Sequence, residues 1–298
     1  DMARLFLKDA EAEREGLYPP TEDEASGFAD RLMRVRHMLA DLPDVIERRE
    51  AADAQSARAA PEAGDLPAYY TQDFHFQSGG YLTERSARLY DVQVETLFMG
   101  SANVMRRAGL RPIAEFIKGR DQRGLALLDV ACGTGRFLRQ VRLAFPALRL
   151  TGLDLSKVYL DEAENHMRGL RPAAFVPGNA ENMPFADASQ DIVSTIFLYH
   201  ELPPEVRRHV SRQIARVLKP GGLFVFIDSL QTGDKPAWDG LLEAFPERFH
   251  EPYYRHYAGD DLDGMFAAAG LERSSVGLAF MSKTMVRRKT VTSPAEPG

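Results

Sequence analysis

Cysteine is almost absent from this chain of 298 residues, which contains only Cys132. A single cysteine excludes an intrachain disulfide and leaves no set of thiolates for a cysteine-based zinc cluster. Long apolar runs are also missing. The most apolar short stretch, GGLFVFI from Gly221 to Ile227, is far too short to span a bilayer, so we expect no membrane segment.

Basic residues are in the minority, with 37 Lys and Arg against 43 Asp and Glu and a net charge of -6. This balance argues against a broad nucleic-acid surface, and we expect no nucleic-acid partner. The first residues are charged and lack the apolar segment of a signal peptide, which predicts a cytoplasmic protein. With 44% hydrophobic residues, the chain can bury a substantial core.

The N-terminal third carries an apolar stripe between Thr21 and Glu50, with alternating spacings of four and three. Its members are Phe28, Leu32, Val35, Leu39, Leu42 and Ile46. The spacing predicts an amphipathic helix, broken near Pro43, that either packs on its own domain or forms a homodimer contact. The alanine-rich segment 51–67 predicts a linker, so residues 1–67 are interpreted as a helical extension and linker.

Short apolar segments alternate with amphipathic ones from Leu125 onward. The predicted strands are 125–130, 148–156, 173–180, 190–199 and 221–229, and the predicted helices are 135–145, 157–167, 204–218 and 260–270. Two strands within 271–289 and a disordered tail at 291–298 follow. This alternation is typical of an α/β fold with a doubly wound parallel sheet.

The loop LLDVACGTGRF, Leu127 to Phe137, follows the first predicted strand, where ligands bind in open α/β sheets. It lacks the spacing of a P-loop, and Leu138 stands where a dinucleotide fingerprint requires its third glycine. Asp129, on the preceding strand, would repel a pyrophosphate. A nicotinamide cofactor is therefore disfavoured and a cationic ligand fits better, although Asp129 alone could equally cap the strand end.

The spacing of Asp129, Ala131, Gly133 and Gly135 resembles motif I of class I S-adenosylmethionine-dependent methyltransferases. The resemblance continues in order through LTGLDLS, GNAENMPF and IARVLKPGGLFVFID, and it points to the type-11 (ubiquinone- and menaquinone-biosynthesis-like) branch. It implies the cofactor S-adenosyl-L-methionine and a Rossmann-like, mostly parallel seven-stranded sheet over residues 116–290. Residues 68–115 are then expected to form a helical lid.

The resemblance also implies which residues hold the cofactor: Asp129, Ala131, Gly133, Gly135, Asp154, Leu155, Asn179, Ala180, Glu181 and Phe197. Among them, Asp154 ends the second strand, where the family's acid binds the ribose hydroxyls, and residues 179–181 lie beside the adenine position. The glycines let the chain pass close to the cofactor, because a Cβ would block that approach. Cys132 is expected to be a small packing residue.

The loop FLYHELPPE, after the fourth predicted strand, lies next to the methyl group in this fold. Tyr199, His200 and Glu201 are therefore the candidate catalytic residues, with His200 as general base. A structural alternative stays open, because Pro204 is suited to the first turn of a helix and Glu201 would favour that helix's N-terminus.

Two aromatic segments supply candidate contacts for the methyl acceptor: Tyr70, His75 and Tyr81, with Tyr69 and Phe76 beside them, and then Tyr253, Tyr254 and His256. Aromatic faces attract a sulfonium through cation–π interactions, although packing of a helical cap would explain them equally. The spacing of His250, Glu251, His256 and Asp260 matches no tight metal site, so no metal is predicted.

These features predict a methyltransferase acting on a small, partly apolar molecule, with oxygen or carbon methylation favoured over nitrogen. Two alternatives stay open: a non-catalytic scaffold that dimerises through the N-terminal stripe, and a methyltransferase acting on a macromolecule. The intact motif residues Asp129, Gly133, Gly135 and Asp154 argue against the first. The acidic balance argues against the second.

Overall fold

The computed structural model describes residues 1–20, 64, 66–76 and 79–291. Within this part of the chain, seven strands form one sheet: β1 Ala126–Val130, β2 Arg149–Asp154, β3 Ala174–Pro177, β4 Gln190–Ile196, β5 Leu218–Ser229, β6 Leu271–Ala279 and β7 Ser282–Lys289. Their order across the sheet is β3-β2-β1-β4-β5-β7-β6. The predicted stripe between Thr21 and Glu50, the linker up to residue 63 and the tail from residue 292 lie outside the described residues.

The α-helices of the described residues are α1 Met2–Arg14, α2 Glu84–Leu97, α3 Ala102–Arg107, α4 Leu110–Ile117, α5 Arg136–Ala144, α6 Lys157–His166, α7 Pro204–Val217, α8 Asp239–Phe249, α9 Tyr254–Ala258 and α10 Leu262–Ala268. Helix α2 begins directly after Thr83, whose Oγ1 accepts a hydrogen bond from the Ser86 N–H at 3.1 Å and so caps the helix. Across the described ranges, none of the helices has both the length and the apolar character needed to cross a membrane.

The sheet is parallel from β3 through β2, β1 and β4 to β5, whereas β7 runs antiparallel between β5 and β6. The predicted α/β class with a doubly wound, mostly parallel sheet is therefore confirmed. The chain moves outward from β1 to β2 and β3 and then returns to the other side of β1 as β4. Such a reversal opens a crevice beyond the carboxyl ends of β1 and β4, where ligands bind in this class of sheet.

The central strands are buried on both faces, which explains why their sequences are almost continuously apolar. On β5, Val225 and Ile227 belong to one apolar cluster with residues of α4 and α5, while Phe224 and Phe226 belong to another with residues of α7 and α10. Successive side chains of a strand point to opposite faces, so each strand joins both layers. The core thereby fixes the strand ends from which the loops of the crevice start.

Gly135 determines how closely α5 approaches α6. It caps the start of α5 with a left-handed φ of 72°, and a Cβ at this position would lie 2.8 Å from the Ala163 Cβ. We expect Gly135→Ala to lower the free energy of unfolding by about 1–3 kcal/mol, because it adds both backbone strain and overpacking. Urea denaturation followed by circular dichroism measures the change.

Gly124→Ala is the matched control, since Gly124 is exposed and no atom lies within 4 Å of its Cβ position. Similar losses in the two variants would contradict the packing argument.

Candidate active site

The loop after β1 passes through three residues with left-handed backbone: Ala131, Gly133 and Gly135, with φ values of 56°, 53° and 72°. At Gly133, no atom lies within 4 Å of the position that a Cβ would take. This residue lines a cavity beyond the carboxyl ends of β1, β2 and β4, called the first cavity here, whose wall also includes Asp154, Asn179 and Phe197. A ligand in that cavity can therefore approach the bare backbone at Gly133.

Asp154 ends β2 and joins two loops of the first cavity. Its Oδ2 accepts a hydrogen bond from the Gly133 N–H at 2.8 Å, and its Oδ1 accepts one from the Ser156 N–H at 2.9 Å. Burial raises the pKa of Asp154 above its ordinary value, although these backbone hydrogen bonds act in the opposite direction. The carboxylate is 9% exposed, so it presents its remaining lone pairs to the cavity rather than to bulk water.

Asp129 lies in β1, beneath the loop. It is 1% exposed, and Ser194 Oγ donates a hydrogen bond to its Oδ1 at 2.7 Å. Burial raises the pKa of Asp129 to about 7, an effect that the nearby Asp154 reinforces and the Ser194 hydrogen bond opposes. Asp129 therefore changes its charge near neutral pH.

An aromatic wall closes the other side of the first cavity. Its members are Tyr69, Tyr70, Phe74, Tyr81, Tyr90 and Tyr159. Tyr81 stands at its centre: the ring stacks on Phe74 with centroids 5.4 Å apart and meets Tyr159 edge-on at 5.6 Å. Most of the wall comes from the chain before the sheet, and Tyr159 comes from α6. The predicted residues Tyr70 and Tyr81 are thus brought to the cavity.

A second cavity adjoins the first, and the two share Tyr90, Phe197 and Glu201. The lining of the second cavity is otherwise mostly apolar, from Val94, Leu97, Phe98, Leu241, Leu242, Phe245 and Met281. Its polar groups are few and include His75 and His200. A molecule with an apolar body and a polar head would suit this lining.

His200 and Asp228 form a buried pair at the edge of the second cavity. The His200 Nδ1 lies 2.5 Å from Asp228 Oδ1, and its Nε2 lies 4.0 Å from Glu201 Oε1. Burial alone would lower the pKa of His200, but the charge and hydrogen bond of Asp228 outweigh it and raise that pKa to about 10. His200 is therefore protonated at neutral pH.

Glu201 lies at the junction of the two cavities. The Tyr81 hydroxyl donates a hydrogen bond to Glu201 Oε1 at 2.5 Å. Burial raises the pKa of Glu201 to about 7, against the opposing effects of His200 and of this hydrogen bond. The aromatic wall and the loop after β4 thus meet at one carboxylate.

Comparison with known proteins agrees with this architecture. Residues 127–222 match a family described as the methyltransferase domain. The demethylmenaquinone methyltransferase of Thermotoga maritima is 32% identical over 154 residues, which cover 52% of this chain and 62% of that protein. The ubiquinone/menaquinone biosynthesis C-methyltransferase UbiE of Nitrobacter hamburgensis is 32% identical over 180 residues, which cover 58% of this chain and 68% of that protein.

The chain belongs to the class I S-adenosylmethionine-dependent methyltransferases. It spans less than two-thirds of the length of the Thermotoga maritima relative. One chain of the complex between the Haloferax volcanii Trm112 methyltransferase activator and a protein described as a methyltransferase shares the fold, with a TM-score of 0.52 and 18% identity over 70% of this chain and 97% of that chain. The methyl donor of this family is S-adenosyl-L-methionine.

Most of the residues expected to hold the methyltransferase cofactor line the first cavity, namely Ala131, Gly133, Asp154, Leu155, Asn179, Ala180 and Phe197. Three others stand outside that lining. Asp129 lies within β1, and Gly135 packs against α6. Glu181 accepts a hydrogen bond from the Tyr69 hydroxyl at 2.6 Å, which connects the adenine-side loop to the aromatic wall.

Some of the residues predicted to bind the acceptor or to act on it line the second cavity, and others do not. His200 and Glu201 line the second cavity, together with His75 and Tyr254. Tyr199 does not, because the short turn at 199–201 directs its side chain to the opposite side, where its hydroxyl lies 3.0 Å from Ser211 Oγ. Tyr199 is therefore corrected from a catalytic candidate to a core residue.

Tyr253 and His256 are also placed outside both cavities. The Tyr253 hydroxyl accepts a hydrogen bond from Gln72 Nε2 at 3.2 Å. The His256 side chain is 54% exposed, with its Nδ1 3.1 Å from Arg207 Nη1. Their short helix, α9, turns only Tyr254 toward the second cavity, so these two substrate candidates are corrected to supporting positions.

The sequence reasoning missed Asp228, Tyr90 and Tyr159, and it considered Glu251 only within a group whose spacing matches no metal site. Asp228 could have been found, since it is an acidic residue near the carboxyl end of the predicted strand 221–229. Tyr90 falls within the aromatic segment but carries no further signal. Tyr159 lies on an amphipathic helix, where an aromatic residue is typical of ordinary core packing.

A buried carboxylate on α2, Asp91, connects this helix to the glycine loop. Thr134 Oγ1 donates a hydrogen bond to Asp91 Oδ1 at 2.7 Å, and Arg136 Nε lies 3.0 Å from Asp91 Oδ2. His166, on α6, lies 3.5 Å from the same Oδ2 and contacts the Thr134 carbonyl through Nδ1 at 2.6 Å. The start of α5 is therefore fixed from two directions.

We expect Asp91→Ala to lower the free energy of unfolding by about 3–5 kcal/mol, because it leaves the Arg136 charge in a buried site without its carboxylate. Chemical denaturation measures this loss. Asp161→Ala is the control, since Asp161 forms an exposed pair with Lys157 and should cost at most about 1 kcal/mol. A small effect of Asp91→Ala would show that the network contributes little.

Proposed function

We propose that this protein transfers the methyl group of S-adenosyl-L-methionine to a small, partly apolar acceptor. The observation that carries the proposal is the junction of two cavities through Tyr90, Phe197 and Glu201. A donor in the first cavity and an acceptor in the second would meet across a short distance. Methyl transfer by in-line displacement depends mainly on such placement.

The first cavity fits the cofactor residue by residue. Gly133 offers backbone that a ligand can approach closely, and Asp154 offers a carboxylate at the strand end for the ribose hydroxyls. Residues 178–180 and Leu155 line the adenine side. Asp129 adds negative potential beneath the loop, and the aromatic wall attracts a sulfonium through its ring faces.

The bound cofactor would supply an electrophilic methyl group, and the residues of this chain orient the acceptor and stabilise its reactive form. The sequence predicted His200 as a general base, but a pKa of about 10 makes it a proton donor at neutral pH instead. We therefore assign His200 the role of donating a hydrogen bond from Nε2 to an acceptor oxygen. Such a donor would stabilise an enolate or phenolate, the nucleophilic form that the acceptor reaches by losing its proton to solvent.

The second cavity favours an acceptor with an apolar body and one acidic oxygen or carbon. Apolar side chains surround most of it, and Glu201, one of its few polar groups, also lines the first cavity. The names of the Thermotoga maritima and Nitrobacter hamburgensis relatives refer to menaquinone and ubiquinone biosynthesis, which supports oxygen or carbon methylation of a quinol-like ring. Residues 68–115 supply most of the aromatic wall, which supports their assignment as the lid.

Calorimetric titration with S-adenosyl-L-methionine between pH about 5 and about 9 tests the cofactor assignment. We expect binding whose affinity rises with pH until about 7 and then levels off, because below the Asp129 pKa of about 7 a proton must leave before the cationic cofactor binds. Asp129→Asn should bind more weakly and show a smaller rise, because Glu201, which also lines the first cavity, has a pKa of about 7 as well. Asp121→Asn, an exposed carboxylate, is the control.

NAD titrated in parallel should not bind. Absence of binding by S-adenosyl-L-methionine would refute the proposed function and favour a scaffold protein, whereas binding of NAD in its place would refute it in favour of a nicotinamide-dependent enzyme.

Replacement of His200 separates catalysis from cofactor binding. We expect His200→Gln to lower kcat by about 100- to 1,000-fold, as for other lost oxyanion donors, while the cofactor Kd stays unchanged. The rate is measured as release of S-adenosylhomocysteine with acceptors from a panel of phenols and quinols. His209→Gln on α7 is the control, and equal rates in the two variants would remove His200 from the reaction.

A further inference from the structure

Three ligand-type side chains meet beside the second cavity. The imidazole of His75 and one carboxylate oxygen each from Glu201 and Glu251 all lie within 4.8 Å of one another. They come from three separate segments: the lid segment, the loop after β4 and the residues that follow α8. Their side chains are 19%, 15% and 0% exposed, so the cluster is shielded from bulk solvent.

Glu251 is the anomaly within this cluster. Neither of its carboxylate oxygens has a hydrogen-bond partner among the described residues. Its closest polar neighbour is His75 Nε2, 3.2 Å from Oε1. A fully buried carboxylate without donors is costly in its charged form, which proteins keep only beside a cation or a metal ion.

Among the described residues, no Lys or Arg forms an ion pair with Glu201 or Glu251. Neither carboxylate therefore has a fixed cationic side chain beside it. A cation held between the two would fill that place.

The position of Glu251 also indicates how large a ligand can be that contacts all three side chains. His75 and Glu201 line the second cavity, but Glu251 lines neither cavity. An organic acceptor in the second cavity could contact the first two residues but could not reach Glu251. A single ion held between the three side chains would contact all of them.

We propose that His75, Glu201 and Glu251 bind one divalent transition-metal ion whose open coordination positions face the second cavity. One imidazole with two carboxylates suits Zn²⁺, Mn²⁺ or Fe²⁺ better than Ca²⁺ or Mg²⁺, which prefer all-oxygen ligands. Three protein ligands leave room for a further ligand, as in catalytic zinc sites. The proposal that an ion binds depends only on these three residues. The proposal that the ion contacts an acceptor oxygen depends in addition on the proposed function.

The local backbone agrees with a constrained site, since His75 has a left-handed φ of 56°. The sequence predicted no metal because the spacing of His250, Glu251, His256 and Asp260 matches no tight site, and His75 and Glu201 lie far from that segment along the chain. The histidines named in the sequence analysis do not form a metal site. Among the described residues, neither His250 nor His256 belongs to a group with metal-ligand geometry.

The test is metal titration of the purified full chain after treatment with a chelator. Calorimetry with Zn²⁺ and with Mn²⁺, and electron paramagnetic resonance of Mn²⁺, should show one site per chain. Glu251→Gln and His75→Gln should each weaken the metal affinity by at least about 10- to 100-fold. Glu247→Gln, an exposed carboxylate of α8 paired with Arg255, should bind metal like the unmodified chain.

Titration of the same samples with S-adenosyl-L-methionine separates this inference from the proposed function. Cofactor binding without stoichiometric metal, or an unchanged metal affinity in both ligand variants, overturns the metal site alone. Metal binding without cofactor binding overturns the proposed function alone. Circular dichroism confirms that each variant is folded, and Glu251→Gln should fold readily, because it removes a buried charge.

Discussion

The Asp154 carboxylate holds together the parts from which the first cavity is made. Its two oxygens accept hydrogen bonds from the backbone of Gly133 and of Ser156, which fixes the glycine loop relative to the start of α6. Ser156 Oγ in turn donates to the Tyr81 carbonyl at 2.7 Å and so connects the aromatic segment. If this carboxylate were displaced, the hydrogen bonds that position the glycine loop, the start of α6 and the aromatic wall relative to one another would be lost.

The electrostatic character of the site changes from one cavity to the other. Around the first cavity, acids and ring faces produce a negative environment that suits a sulfonium. At the edge of the second cavity, His200 brings a positive charge and is held in place by Asp228. A cationic donor and an anionic acceptor head would therefore each meet a complementary surface, and desolvation inside the buried site strengthens both interactions.

Local signals in the sequence predicted the sheet and the glycine loop well. The segment 190–199 was predicted as a strand from its apolar run, and β4 covers Gln190–Ile196 within it. Gly133 was identified because its chemistry is a property of one residue and its neighbours. The direction of a side chain within a tight turn was harder to predict. The turn at 199–201 points Tyr199 and His200 to different sides, and no sequence pattern indicates which of them faces a cavity.

Groups assembled from distant segments were beyond sequence reasoning for a different reason. His75 and Glu251 approach within 3.2 Å, yet each stands in an aromatic stretch that is typical of packing. Their proximity depends on tertiary contacts, namely how the segment before the sheet and the residues after α8 pack at the strand ends. Tyr159 could not be predicted for the same reason, because its place in the aromatic wall depends on its ring contacts with Tyr81 and Tyr90.

The two cavities are lined by different parts of the fold, and this separation has an evolutionary consequence. The donor side is fixed by residues at the strand ends, such as Gly133 and Asp154, which the core positions. Much of the acceptor side comes from α2 and α8, which lie outside the alternating strands and helices of the parallel sheet. Substitutions in those two helices can therefore alter the choice of acceptor while the donor site and the core are inherited unchanged, so that new substrates are reached without rebuilding the fold.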